Sequence, residues 1–192
     1  MSHVDIWHPG LVLPAAKLTP EIILNIKGSL SPAQVLALTV WGEARSRLDH
    51  GRWVSNSIDG MTDVMNVIDN RVRDSRWSKL GHKRVCLQRW QFSCWEPNGG
   101  PDSKHDNDLL SDNFARVMMR AQELLANEIP SDKLSDLLDA AERCLAGKLV
   151  DSLEGACHYY SDYLKAPPKW SFSKSARLVA KRFGHLYFAG VP

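Results

Sequence analysis

Glu43 is the residue whose position most clearly suggests chemistry. It falls on the apolar side of a helix predicted to begin at Ser31. The apolar residues on that side are Ala33, Leu36, Ala37, Val40 and Ala44. Burial there would disfavour an ionised carboxylate, and a carboxylic acid that stays protonated near neutral pH can protonate the leaving oxygen of a glycosidic bond. On spacing alone, the alternative is a structural Glu paired with Arg45 or Arg71.

The helix that carries Glu43 has a strong start signal. Ser31-Pro32-Ala33-Gln34 combines an N-cap hydroxyl, proline at the first helical position and Gln three residues after the cap. Apolar residues at helical spacing predict three more helices, and Thr19-Pro20-Glu21 opens a brief one. The three helices are expected at 61–73, 113–127 and 131–146.

The remaining segments are predicted as loops and short strands. Residues 47–60 are polar and read as an exposed loop, and 74–112 is irregular and rich in Pro and Gly. Aromatic-rich runs at 156–160 and 185–188 suit strands. A chain of 192 residues favours a single domain, so we expect a lead-in at 1–30 and one domain at 31–192.

Composition and charge exclude several classes of protein. No apolar run approaches the roughly 20 residues of a membrane-spanning helix, and no basic region precedes an apolar stretch near Met1, so no export signal is predicted. The four cysteines show no CxxC spacing and are predicted to be buried free thiols. A net charge of +2 does not indicate a nucleic-acid binder.

The modest net charge hides an uneven distribution. Residues 96–142 are rich in Asp and Glu, whereas 165–192 contain six Lys and Arg and no acid. That basic segment is either a surface that attracts an anionic polymer or an ordinary solvated face. Seven Trp are also present, and indole rings suit stacking on sugars as well as core packing.

Six motifs in order resemble the SleB-type cell wall hydrolases, the family of spore cortex-lytic catalytic domains. That family has a G-E-A-R, N-V-x-x-N-R-V and Q-F-S series, followed by an aromatic-rich strand, Pro-x-Trp and a terminal Gly-x-His-x-Phe. The corresponding segments here are 41–45 (WGEAR), 66–72 (NVIDNRV), 91–95 (QFSCW), 155–160 (GACHYY), 168–170 (PKW) and 184–188 (GHLYF). The 47–60 loop is longer than the family's connection and 96–112 is extended, but neither touches the matched residues.

The resemblance implies a helix-dominated α+β fold of lysozyme-like or transglycosylase-like type, with Glu43 as the essential acid. A lytic transglycosylase cleaves the MurNAc-GlcNAc bond with one carboxyl acting as acid and then as base. An inverting hydrolase needs a second carboxylate to activate water. The carboxylates available for that role are Asp49, Asp59, Asp63 and Glu96. We favour the transglycosylase, with a hydrolytic muramidase or glucosaminidase as the alternative.

The other matched residues receive supporting roles. Gln91, Ser93, Tyr159, Tyr160 and Trp170 are candidates for binding substrate, although Gln91 and Ser93 would equally stabilise a turn. Tyr159 and Tyr160 alternate on a strand, so one should face the cleft and the other the core. A second group is predicted to support the site structurally: Trp41, Asn66, Arg71 and His185. Asn66 and Arg71 are expected on different sides of their helix, and Trp41, Trp95 and Trp170 on the cleft lining or in the core.

Three competing functions rank lower. A cysteine amidase would need a thiol and a base, but Cys157 and His158 are neighbours on a strand and point to opposite faces. Cys94 with His82, His105, His158 or His185 is the other pairing. The seven His are dispersed without HExxH-like spacing, so no metal and no cofactor are predicted. A non-catalytic wall-binding module, which would use Trp and the basic segment, is the third.

The biological setting follows from the same resemblance. The expected partner is the glycan strand of peptidoglycan, and we expect a monomer with no nucleic-acid partner and no stable membrane insertion. Without an export signal, the sequence fits a phage endolysin held in the host cytoplasm until it is released to the wall, with a bacterial enzyme as the alternative source.

Overall fold

Helices are the predominant regular structure in the part of the chain that the computed structural model describes, which comprises residues 12–14, 17–47, 53–55, 58–89, 91–97, 111–128, 132–162 and 164–192. The helices are α1 (Pro20–Ser29), α2 (Pro32–Glu43), α3 (Ile58–Arg73), α4 (Gly81–Leu87), α5 (Asp112–Leu125) and α6 (Asp132–Leu145). The strands are β1 (Arg45–Arg47), β2 (Trp53–Ser55), β3 (His158–Ser161), β4 (Arg177–Arg182) and β5 (His185–Ala189). Two 3-10 turns span Ser93–Trp95 and Lys169–Phe172. The predicted helix-dominated α+β class is confirmed.

Helix α2 lies at the centre of the helical layer. Its predicted start is confirmed, because the Ser31 hydroxyl accepts from the Gln34 N–H at 3.2 Å while the Gln34 side chain accepts from the Ser31 N–H at 2.8 Å. The prediction that only one side of α2 faces the core is wrong. Residues 35–42 are all buried, because α3, α4, α5 and α6 surround the helix. A helix that is apolar on every side is the kind that a core encloses.

Helix α1 belongs to the same core. Thr19 caps it by accepting from the Ile22 N–H at 3.3 Å, and Ile22, Ile26 and Leu30 are buried in the main hydrophobic cluster. The predicted lead-in at 1–30 thus contains a helix that packs into the same core as the helices of the domain predicted at 31–192.

Two segments predicted as loops contain regular structure. Strand β2 lies within 47–60 and pairs antiparallel with β1, with Arg45 opposite Ser55, and α3 begins at Ile58 rather than at Met61. Helix α4 lies within the segment 74–112. These elements are too short for their apolar residues to repeat at a spacing that can be recognised in the sequence. No helix in the described ranges has the length and apolar character needed to cross a bilayer.

The C-terminal residues form a three-stranded antiparallel sheet in the order β3-β5-β4. Strands β4 and β5 are joined by Phe183 and Gly184, both at positive φ (52° and 75°), as a two-residue hairpin of type I′ requires. Strand β4 was not predicted. Tyr187 on β5 packs with Val67 of α3 in a second small core, which attaches the sheet to the helices.

Gly42, near the end of α2, lets neighbouring side chains approach the helix unusually closely. A Cβ at this position would lie 2.6 Å from the Cβ of Cys94 and 2.9 Å from Val117. The glycine of the WGEAR motif therefore lets the 3-10 turn Ser93–Trp95 lie directly against the last turn of α2, beside Glu43.

We expect Gly42→Ala to lower the free energy of unfolding by about 1–3 kcal/mol, because both neighbours are packed core atoms that must shift. Urea denaturation measures the change. Gly28→Ala is the matched control: a Cβ added there, on α1, would meet no described atom within 4 Å, so alanine should leave stability unchanged or raise it. Equal stability of the two variants would contradict the close-approach argument.

Candidate active site

The Glu43 carboxyl lies at the C-terminal end of α2, where side chains and backbone from two other segments reach it. Its Oε1 accepts a hydrogen bond from the Ser93 hydroxyl at 3.0 Å and from the Cys94 backbone N–H at 2.7 Å. Its Oε2 accepts from the Tyr159 hydroxyl on β3 at 3.4 Å. Helix α2, the 3-10 turn and the sheet thus converge on one half-buried carboxyl.

The 3-10 turn is held in place by Thr39, one turn before Glu43 on α2. The Trp95 indole N–H donates to Thr39 Oγ1 at 2.7 Å, and that hydroxyl donates to the Val35 carbonyl at 2.7 Å. Thr39 and Trp95 are both buried. Sequence reasoning did not assign Thr39; a lone hydroxyl among the apolar residues of α2 was the available signal.

Arg71 does not supply the ion pair that would make Glu43 purely structural. Its Nε donates to the Cys157 carbonyl at 2.7 Å, and its Nη1 donates to Gln91 Oε1 at 3.1 Å. The buried guanidinium lies over the Phe92 ring at 5.0 Å. It therefore ties α3 to the start of β3 and to the segment before the 3-10 turn. The side chain of Arg45, the other proposed partner, lies outside the described residues.

Other polar residues of α3 hold the loop that leads into β3. Asn66 Nδ2 donates to Ser152 Oγ at 3.0 Å, and Asn70 Nδ2 donates to the Ala156 carbonyl at 3.3 Å. Asn66 and Arg71 were expected on different sides of the helix, yet both contact residues 151–157, because that segment wraps around a helix that is buried along most of its length. Asn70 had no assigned role.

Strand alternation divides the predicted substrate-binding aromatics between two faces of the sheet. Tyr159 points to Glu43 and packs edge-on against His185, whose ring is buried and whose Nδ1 lies 3.1 Å from the Phe183 carbonyl. Tyr160 instead stacks on Phe188 and contacts Trp170. Tyr159 and Tyr160 thus face opposite sides of the sheet, as their alternation predicts, and Trp170 lies with Tyr160 on the side away from Glu43. Substrate binding by Tyr160 and Trp170 stays a prediction.

Burial assigns packing roles to the other two tryptophans of the motifs. Trp41 is 8% exposed and Trp95 is 2% exposed, and both belong to the main core. Two arginines cover the Trp41 ring, Arg116 at 4.9 Å and Arg120 at 5.9 Å. Core packing, the second of the two predicted roles, describes both rings.

The candidates for a second carboxylate differ in their surroundings. Asp63 is buried in a bidentate pair with Arg182, both contacts being 2.6 Å, and also accepts from Ser152. Asp59 lies in the first turn of α3, and Glu96 directly follows the 3-10 turn. Asp49 lies outside the described residues. Asp63 is thus held as a structural anion, and Glu96 is the candidate nearest in sequence to the donors of Glu43.

The predicted buried free thiols are confirmed for all four cysteines. Burial raises the pKa of Cys86 to about 12 and that of Cys157 above its usual range. Burial and the Glu43 carboxyl together raise the pKa of Cys94 well above its usual range. The raised pKa values disfavour the thiolate that a cysteine nucleophile requires. Potential metal ligands do converge elsewhere, at Asp69, His82 and Cys144.

His158 lies between two tryptophan rings, on the face of the sheet that points away from Glu43. Its ring centroid lies 5.9 Å from Trp77 and 5.0 Å from Trp170, and its Nδ1 is buried with no hydrogen-bond partner among the described residues. Burial, reinforced by the charges of Arg71 and Arg76, lowers the pKa of His158 to about 4, against a smaller opposing effect of Asp74. The imidazole is therefore neutral at physiological pH.

This shift predicts a pH-dependent stability. The unfolded chain takes up the His158 proton near pH 6.5 but the folded chain only near 4, so the contribution of this residue is present above 6.5 and is lost as the pH falls towards 4. Thermal unfolding between pH 7 and 4 should show a smaller loss for His158→Phe, which keeps an aromatic ring but cannot titrate. An equal loss in both proteins would contradict the assignment.

Comparison with known proteins places the chain in a family. The family described as Cell Wall Hydrolase matches residues 55–189, more than half of the chain. The matched region includes Asn66, Arg71, Ser93 and Tyr159 and begins after Glu43. No curated protein and no solved structure gives a significant match. The chain therefore belongs to the Cell Wall Hydrolase family.

Proposed function

We propose that the chain is a lytic transglycosylase that cleaves the MurNAc-GlcNAc bond of peptidoglycan, with Glu43 as acid and then base. Family membership supports an enzyme that acts on peptidoglycan. The main support for Glu43 as the catalytic group is that three hydrogen-bond donors meet on its half-buried carboxyl. They are the Ser93 hydroxyl, the Cys94 N–H and the Tyr159 hydroxyl. The SleB-type motifs, of which Glu43 is part, point to the same residue.

The reaction needs one carboxyl in two protonation states. Protonated Glu43 gives its proton to the glycosidic oxygen as the bond from that oxygen to C1 of MurNAc breaks. The resulting carboxylate then takes the proton of the C6 hydroxyl while O6 bonds to C1, which leaves a 1,6-anhydro end and consumes no water. Hydroxyl groups both donate and accept hydrogen bonds, so Ser93 and Tyr159 can serve both forms of the acid.

The surroundings of Tyr159 support its role as a neutral donor. Burial, with a further contribution from Glu43, raises the pKa of Tyr159 well above its usual range. The phenol therefore keeps its proton throughout the cycle and stabilises the carboxylate that forms after the first step. The Tyr159 hydroxyl is already oriented towards the Glu43 oxygen on which negative charge develops, so it stabilises that charge without having to reorient.

Hydrolysis is the alternative outcome, and Glu96 is its best candidate for activating water. The engagement of Asp63 by Arg182 and Ser152 argues against that residue. The raised thiol pKa values argue against a cysteine amidase, and the Glu43 site argues against a purely wall-binding module. The endolysin role and the location in a host cytoplasm before release stay predictions.

Glu43→Gln should lower the rate of peptidoglycan cleavage by roughly 100-fold or more, because the amide can neither give nor take the proton. Release of soluble fragments from purified sacculi measures the rate. Mass spectrometry of the fragments from the wild type should show anhydro-muramyl ends. Glu96→Gln is the matched control and should retain activity and the same ends.

Three outcomes would contradict a transglycosylase that uses Glu43. Reducing sugar ends together with an inactive Glu96→Gln variant would establish a two-carboxylate hydrolase, and freed stem peptides would contradict glycan cleavage altogether. A Glu43→Gln variant that is folded and fully active would remove Glu43 from the mechanism.

Tyr159→Phe should slow cleavage by roughly 3- to 10-fold, the effect of losing a hydrogen bond worth about 0.6–1.4 kcal/mol. The ring contacts with His185 and Tyr187 remain, so the fold should be kept. Tyr187→Phe is the control, because it removes a nearby buried hydroxyl that has no partner among the described residues. Equal rates for both variants would contradict a role for the Tyr159 hydroxyl.

A further inference from the structure

Three potential metal ligands meet where α3, α4 and α6 come together. Asp69 lies on α3, His82 on α4 and Cys144 on α6, and their ligand atoms all lie within 4.8 Å of one another. The Asp69 Oδ1 atom is 3.1 Å from His82 Nε2, and Cys144 Sγ is 3.8 Å from the same nitrogen. Asp69 and Cys144 are buried, and His82 is largely so.

The shared nitrogen distinguishes this cluster from a nucleophile and its base. A catalytic His uses one ring nitrogen towards the nucleophile and the other towards the orienting carboxylate. Here the carboxylate and the thiol both lie at Nε2 of His82, which has a single position for a proton. A cation placed among the three atoms would satisfy all of them at once.

We propose that Asp69, His82 and Cys144 bind Zn²⁺. A thiolate, an imidazole and a carboxylate form a ligand set that zinc accepts, and three protein ligands leave a fourth tetrahedral position for water. Tetrahedral zinc bonds to N, O and S place neighbouring ligand atoms about 3.3–3.6 Å apart. The distances of 3.1 and 3.8 Å to Nε2 bracket that range, and side-chain movements that bring all three atoms from within 4.8 Å of one another to that spacing would complete the site.

The second oxygen of Asp69 has its own partner. Arg73, one turn further along α3, forms an ion pair with Oδ2, which leaves Oδ1 directed at His82. Hydrogen bonding of this kind to a ligating carboxylate fixes its orientation in metal sites. One of the three ligands, His82, also lines a surface cavity of about 690 Å³ and is therefore accessible from solvent.

Binding must displace a proton from the thiol. Zinc binding therefore forms the S–Zn bond, breaks the S–H bond and releases one proton per ion to the buffer. The bound ion would link α4 and α6 to α3 two residues before Arg71, and would stabilise the fold without taking part in cleavage.

Cobalt substitution tests the site without any measurement of activity. Protein stripped with a chelator and titrated with Co²⁺ should take up one equivalent and develop a thiolate-to-cobalt charge-transfer band, which Zn²⁺ then removes. Cys144→Ser should abolish the band and weaken zinc binding by more than the roughly 10- to 100-fold that loss of an outer partner costs. Cys157→Ser, a matched thiol on the far side of α3, should keep the band.

X-ray absorption of the zinc-loaded wild type keeps the proposal testable if Cys144→Ser does not fold. It should show one sulfur and a nitrogen or oxygen shell. The absence of a cobalt band, a band that survives Cys144→Ser, or a zinc spectrum without sulfur would each overturn the proposal.

Discussion

The packing of the 3-10 turn Ser93–Trp95 against the last turn of α2 is the constraint on which the candidate site depends. Gly42 has no side chain, so Cys94 can approach the helix closely enough for its N–H to reach Glu43. The Thr39–Trp95 hydrogen bond fixes the same turn one helical turn earlier. The position of the carboxyl is thus set by core packing, and the donors follow from it.

The second half of the site comes from the sheet, which is held by polar residues of α3. Arg71, Asn66 and Asn70 all bind the segment that leads into β3, and this places Tyr159 opposite Glu43. Buried polar groups that are fully hydrogen-bonded specify one arrangement of a core. Helix α3, which carries the motif at residues 66–72, therefore holds the sheet in place against the helices.

Local signals in the sequence predicted some of this structure and missed the rest. The helix start at Ser31 and the strands around Tyr159 and Tyr187 follow from neighbouring residues alone, and the free thiols follow from the spacing of the cysteines. The enclosure of α2 and the faces of Tyr160 and Trp170 depend on which elements pack together, and no local pattern contains that information. The meeting of Asp69, His82 and Cys144 is likewise a product of tertiary packing.

The shortest contact to the candidate acid comes from the main chain, at the Cys94 N–H. Every amino acid except proline offers that donor. The side chain at position 94 is therefore constrained by the core around it and by Gly42 rather than by the hydrogen bond to the carboxyl, whereas any side chain at position 42 would displace that hydrogen-bond donor. The residue that never touches the candidate acid, Gly42, thus constrains its surroundings more strictly than the residue that does.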